Sequence, residues 1–215
     1  MRLLTFCNYL IKKKGSLKMG EIIYQGHASF RVKTNSGLVI YIDPYAGEGY
    51  TLPADVILVT HDHFDHNKIE LVPQKPDCTI ITNDNARESE DEYNTYEIND
   101  LTVEAVPAYN HHHPKDFGVG YILSFDGRQV YIAGDTGNIE EAKKLADREL
   151  DLVFVPTDGI YTMTLEEAKE FSYNVNAKFS VPVHTNPDVI FDPKVAMAYD
   201  GKDKILVSPG EPIYL

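Results

Sequence analysis

Cysteine is nearly missing from this chain. Cys7 and Cys78 are the only two in 215 residues, too few for a disulfide framework, which points to a reducing compartment such as the cytoplasm. Long apolar runs are missing too: none approaches the ~18 residues that a membrane span needs. Positive charge is scarce. Twenty Lys and Arg stand against 33 Asp and Glu, a net charge of −13. That balance disfavours a sequence-independent grip on nucleic acid and adsorption to an anionic membrane. Tryptophan is absent, which excludes nothing. A signal-peptide order is lacking as well, because the mildly apolar residues 3–11 precede the basic Lys12, Lys13 and Lys14 and no small-residue cleavage site follows. The remaining expectation is an acidic protein with one folded domain, acting on a small molecule, with self-association left open. Residues 1–18 read as a peripheral extension, and strand-like sequence begins at Glu21, just after Met19.

Short β-rich runs dominate the first half, at residues 21–24, 29–33, 38–42, 56–60, 79–82, 101–106, 120–125 and 129–133. Further strands are expected at 152–155, 179–183 and 205–207. Asn35-Ser36-Gly37 and Asp126-Gly127 are turn signals between neighbouring strands. Asn138-Ile139-Glu140-Glu141 and Thr164-Leu165-Glu166-Glu167 fit the capping box and predict helices near 139–148 and 165–174. Asp192-Pro193 predicts a third near 193–199. Residues 84–100 read as solvated loop or short helix. A dozen strands rarely fit one open sheet, so the pattern is a layered α/β domain with two sheets.

The histidines carry the chemistry. Of eight, seven fall at three places that each follow a predicted strand or loop from one. His61 and His63 alternate on extended chain and can face one cation, while the adjacent Asp65 and His66 project differently and can face a second. Imidazole and carboxylate are ligands that Zn²⁺ takes readily, and Mn or Fe accepts them. His111, His112 and His113 form a run from which one residue can complete the first site. Asp135, between Gly134 and Thr136 at a strand end, can bridge two ions, and His184 can close the second site. Two such ions hold and acidify a water and polarise the oxygen it attacks, which makes the expected reaction hydrolysis of an ester-type bond by a metal-bridged hydroxide. A competing expectation is a non-catalytic metal-binding protein that retains the site.

The set His61-x-His63-x-Asp65-His66, a loop histidine, Gly134-Asp135-Thr136 and His184 resembles the metallo-β-lactamase superfamily in order and spacing, over residues 20–215. Gly26-His27-Ala28-Ser29-Phe30, Val106-Pro107-Ala108-Tyr109-Asn110, Gly118-Val119-Gly120-Tyr121 and Tyr161-Thr162-Met163-Thr164 are similar to its branch of small metal-dependent hydrolases. That branch resembles the L-ascorbate-6-phosphate lactonases and the N-acyl-phosphatidylethanolamine phospholipase D group. The resemblance implies a four-layer αββα sandwich over 19–215 with two divalent metal ions, Zn first, at one edge. It assigns His61 and His63 to the first ion, Asp65, His66 and His184 to the second, and Asp135 to the bridge, with Asp65 and His66 catalytic. Relatives place His where this chain has Asn110; Pro114-Lys115 then favours His113 as the remaining ligand. His27 is expected to be structural, bonding between the sheets, and Tyr161 and Thr162 to line the pocket or pack. The missing flavin partner, RNA-binding arm and helical glutathione segment set aside diiron oxidoreductases, RNA-processing nucleases and glyoxalase II-like thioesterases. The missing export signal sets aside secreted β-lactamases. The substrate left is a small phosphodiester or lactone.

Overall fold

The computed structural model describes residues 20–215; the extension expected at 1–18 lies outside them. Twelve strands form two six-stranded sheets. The first has the order β12(Pro212–Tyr214)-β1(Glu21–Gly26)-β2(Ser29–Lys33)-β3(Val39–Ile42)-β4(Ala54–Leu58)-β5(Gln74–Ile81). The second has the order β11(Phe179–Val183)-β10(Leu152–Pro156)-β9(Arg128–Ile132)-β8(Gly118–Phe125)-β7(Leu101–Ala108)-β6(Thr95–Ile98). In each, a meander of antiparallel pairs gives way to a parallel trio: β3, β4 and β5 in one, β9, β10 and β11 in the other. Parallel strands buried on both faces read as unbroken apolar runs. β10 (LVFVP) is buried throughout.

The main core lies between the sheets, where Phe30 and Phe154 approach with ring centroids 4.5 Å apart and Ile40, Ile42, Leu58, Tyr121 and Val181 fill the gap. A second cluster covers the outer face of the second sheet. There α1(Leu165–Val175) buries Ala168, Phe171, Ser172 and Val175, a spacing of three or four residues that puts them on one helix face. Thr164 caps this helix with the reciprocal Thr164–Glu167 bonds expected of the sequence, and Asn176, left-handed at φ 58°, ends it. Over the first sheet the outer layer is thin: Tyr50, Leu52 and a 3₁₀ turn, Ile69–Leu71, cover Tyr41 and Ile57. The second helix, α2(Pro193–Ala198), opens on Asp192 with Pro at its first position, as expected.

Three expectations change. Residues 140–148 form a 3₁₀ helix without a side-chain cap, because Asn138 Oδ1 accepts from Asn174 Nδ2 (2.9 Å) instead. Residues 205–207 are not a strand; Ile205 N–H merely donates to Ser180 O (2.8 Å), and β12 pairs with β1 in its place. The acidic segment 84–100 contains β6, an edge strand whose Tyr96 and Ile98 reach the core while Thr95 and Glu97 face water.

Candidate metal centre

The chemistry gathers at the carboxyl ends of β3, β4, β7, β9, β10 and β11, the edge at which layered α/β sheets characteristically bind ligands. The loop after β4 brings His61 Nε2 to 3.1 Å from His63 Nδ1. The loop after β7 brings His113 Nε2 to 3.3 Å from the same atom. A tetrahedral ion bound at 2.0–2.1 Å has ligand–ligand edges of about 3.3–3.4 Å, so these spacings suit one ion. His27, Asp65, His66 and His184 form a second group with ligand atoms within 4.8 Å of one another. Asp135 lies between the two. Its Oδ2 is 3.8 Å from His61 Nε2, 4.0 Å from His113 Nε2 and 3.6 Å from His184 Nε2, and its Oδ1 is 3.6 Å from His66 Nε2.

The orphaned atoms test whether cations fit. His66 Nε2, His184 Nε2 and Asp135 Oδ1 are buried and lack a hydrogen-bond partner among the described residues. Leaving such groups unsatisfied costs ~1–3 kcal/mol each, and all three point at the same small volume. Nitrogen and carboxylate donors of this kind match borderline divalent metals. The residues present therefore fit the group.

Four of the imidazoles have a polar partner at their other nitrogen. Asp43, left-handed at φ 44° just after β3, accepts Thr60 N–H and Thr60 Oγ1–H (2.7 Å each) and His66 Nδ1–H (2.9 Å). Thr60 Oγ1 in turn lies 3.0 Å from His61 Nδ1, so one carboxylate sets the tautomers of two histidines. Asp158 Oδ2 lies 2.8 Å from His184 Nδ1. Asn110 Oδ1 accepts the backbone N–H of His112 and His113 (2.7 and 3.0 Å) and His113 Nδ1–H (3.1 Å), while its Nδ2 donates to Asp135 O and Tyr161 O. Asn110 thus aims His113 inward. His111 and His112 are exposed. His27 bonds between the sheets through its backbone, its carbonyl accepting His184 N–H (2.8 Å), while its ring Nε2 lies 3.1 Å from Asp65 Oδ2, inside the second group.

Charge follows the same plan. Burial alone would lower His66, but the carboxylates of Asp135 and Asp43 outweigh it and push it up to about 9. His184 is raised despite burial, by Asp135 and Asp158. Burial and the neighbouring His66 hold His61 well down, and burial lowers His113 and His27. Burial works against ionisation of Asp135, yet His184, His66, His61 and His113 hold it far below the ordinary carboxylate range. Asp65 is held low by His27 and His66 against its own burial. A carboxylate ringed by imidazoles is the charge pattern that suits a shared cation.

Sequence reasoning missed Asp43 and Asp158. Their local signal is position alone: Asp43 follows β3 directly and Asp158 lies two residues beyond β10. The backbone adds another: His27, Asp43 and His184 all adopt positive φ (53°, 44° and 44°), strain of the kind that collects at functional sites.

Residues 21–184 match the β-lactamase superfamily domain. A UPF0173 metal-dependent hydrolase of Geobacillus sp. (strain WCH70) is 30% identical, over 91% of this chain and 100% of its own length. A candidate metal-dependent hydrolase from Parabacteroides distasonis has a solved structure that superposes with a TM-score of 0.69 at 34% identity, covering 86% of this chain and 91% of that one. A candidate Zn-dependent hydrolase from Thermotoga maritima superposes at 0.63 and 20% identity, over 87% and 97% of the two chains, a likeness of fold.

Proposed function

The chain belongs to the β-lactamase superfamily, and from that premise we propose that it is a metal-dependent hydrolase cleaving an ester-type bond in a small phosphodiester or lactone. The observation that carries the reading is the convergence of buried, unpartnered His66 Nε2, His184 Nε2 and Asp135 Oδ1 on one volume, beside the His61–His63–His113 cluster. The names of the Geobacillus and Parabacteroides relatives support it.

His61, His63 and His113 would hold one ion, Asp65, His66 and His184 a second, and Asp135 both. Zn²⁺ is the first choice for so imidazole-rich a set, with Mn or Fe as substitutes. When bound, two such ions supply a water that is nucleophilic at neutral pH and a Lewis acid for the oxygen under attack. The chain's own residues prepare that chemistry. Asp43 and Asn110 keep the outer protons of His66 and His113 on Nδ1, which leaves each Nε2 free as a donor of its lone pair, and the carboxylate of Asp158 beside His184 Nδ1 favours the same arrangement there. His27 fixes the carboxylate of Asp65 through Oδ2. His66 is fully buried and committed to Asp43, so its catalytic part is that of a ligand, and the same holds for Asp65. Free Cys78 and the absence of a disulfide among the described residues suit a cytoplasmic enzyme. No helix among those residues is long and apolar enough to cross a membrane.

Protein loaded in turn with Zn²⁺, Mn²⁺ and Fe²⁺ should hydrolyse bis-p-nitrophenyl phosphate or a γ-lactone, and His66→Ala should abolish that turnover while leaving the fold intact. Inactivity over a wide ester panel with two ions bound per chain would defeat the reading.

A further inference from the structure

Three loops around the metal centre present apolar side chains to solvent, and a fourth joins them to the cluster. Phe64 stands inside the ligand motif, between His63 and Asp65. Ile160 and Tyr161 follow Asp158, whose Oδ1 accepts their backbone N–H groups (2.6 and 2.8 Å). Ile190 gives its carbonyl to His27 N–H (2.5 Å), and Val189 precedes it. These five side chains belong to residues 47% to 68% exposed. Tyr45, half-buried, meets Phe64 edge-on at 6.0 Å and His27 at 5.4 Å, so the apolar rim is continuous with the cluster. Tyr161 lies 5.7 Å from the His112 ring on the opposite loop.

Water gains nothing from this exposure, and such patches mark binding surfaces. The charge of the surroundings narrows what binds. Outside the metal cluster and its supports Asp43 and Asp158, the loops at residues 43–53, 59–68, 109–117, 133–139, 157–164 and 184–192 carry five Asp and Glu residues and two Lys, Lys68 and Lys115. Lys115 is engaged by Asp91 (2.7 Å) and Glu141 (3.5 Å). Beyond the ions themselves, a sugar phosphate or other polyanion would find five carboxylates and, among the described residues, one ammonium without an ion-pair partner.

Building on the hydrolase reading above, we infer that the substrate is a neutral or singly charged ester with an apolar chain or ring of several carbons, which lies on the Phe64–Ile160–Ile190 rim while its polar head enters the metal centre. The rim is a specificity surface. A fully buried methylene is worth about fourfold in affinity, and one covered on a single side about twofold.

The test uses alkyl hydroxamates, from acetohydroxamate to octanohydroxamate, as neutral metal-seeking probes on metal-loaded protein. Kd by calorimetry should fall about 60-fold across the six added methylenes. Phe64→Ser and Ile160→Ser should each shrink that span several-fold, while Tyr173→Ser, exposed on the outer helix α1, should leave it as it is. A flat series, or the same slope in Phe64→Ser, overturns the inference. So does a rim variant that changes only the oligomeric state in size-exclusion chromatography. Turnover of 4-nitrophenyl methyl, butyl and octyl phosphates, run alongside, separates the two claims. Hydrolysis that ignores chain length removes the rim and leaves the hydrolase. Chain-dependent hydroxamate binding without any hydrolysis removes the hydrolase and leaves the rim.

Discussion

Replacing Asp43 with Asn keeps the shape of the site and reverses its protons. Asp43 accepts three hydrogen bonds, from Thr60 N, Thr60 Oγ1 and His66 Nδ1. An amide has one acceptor oxygen. If that oxygen stays on Thr60 N–H, the Nδ2 group donates toward His66 Nδ1 and Thr60 Oγ1. His66 must then carry its proton on Nε2, where it blocks a metal bond. Thr60, no longer donating to a carboxylate, turns its hydroxyl hydrogen toward His61 Nδ1 and drives that imidazole into the same wrong tautomer. If the amide flips, the buried Thr60 N–H faces another donor, at a cost of ~1–3 kcal/mol. Outer partners of this kind are worth about 10–100-fold in metal affinity, or about 1.4–2.7 kcal/mol at 1.36 kcal/mol per decade. Asp43→Asn should therefore weaken both ions, whereas Asp158→Asn, which touches only His184, should weaken one. Competition against a chromophoric chelator gives both constants. Two unchanged constants in Asp43→Asn, in a folded protein, would refute the reasoning.

His113→Ala should cost the first ion at least about tenfold in affinity, while His111→Ala and His112→Ala leave it in place, as metal analysis after dialysis will show; the reverse ranking would mean that Asn110 aims the wrong residue. Gly47→Ala should be among the most damaging glycine changes. At φ 73° a Cβ would be driven into the Gln25 carbonyl oxygen, so strain of ~1–3 kcal/mol adds to a clash, and calorimetry should show Tm falling by at least about 5 °C, whereas Gly37→Ala, open on all sides, should lose less. Asp151 is held below the usual carboxylate range because Lys178, the Gln129 N–H and Arg128 outweigh its burial. A depressed folded value stabilises above the unfolded pKa of about 3.9 and loses that contribution as pH falls through the folded value. Asp151→Asn should lower Tm at pH 7, with the gap closing toward pH 3.

The legible parts of this protein were those written locally. A buried apolar run marked β4 and β10, Thr164 and Glu167 marked the start of α1, and the alternation of His61 and His63 placed them on one side of an extended chain. What local pattern does not encode is which strand covers which edge. Residues 205–207, Ile-Leu-Val, are more strand-like in composition than β12, Pro-Ile-Tyr, and pairing with β1 decided between them. β6 looked like acidic loop because an edge strand keeps only every second side chain out of water. At the site, the histidines were visible because they are rare, but Asp43 and Asp158 were not, since a single carboxylate after a strand is common and its meaning arises only when folding sets it against an imidazole. Asn110 was noticed as a departure; its role in aiming His113 is a matter of three hydrogen bonds that no spacing predicts.

The central claim is that seven side chains from four separate loops hold two cations that share Asp135. Anomalous scattering at the Zn edge from crystals grown with Zn²⁺ tests it most directly. The account predicts two peaks about 3.5–4 Å apart, one ringed by His61, His63 and His113, the other by Asp65, His66 and His184, with Asp135 reaching both. A single closed site, or ions bound away from these side chains, would contradict it.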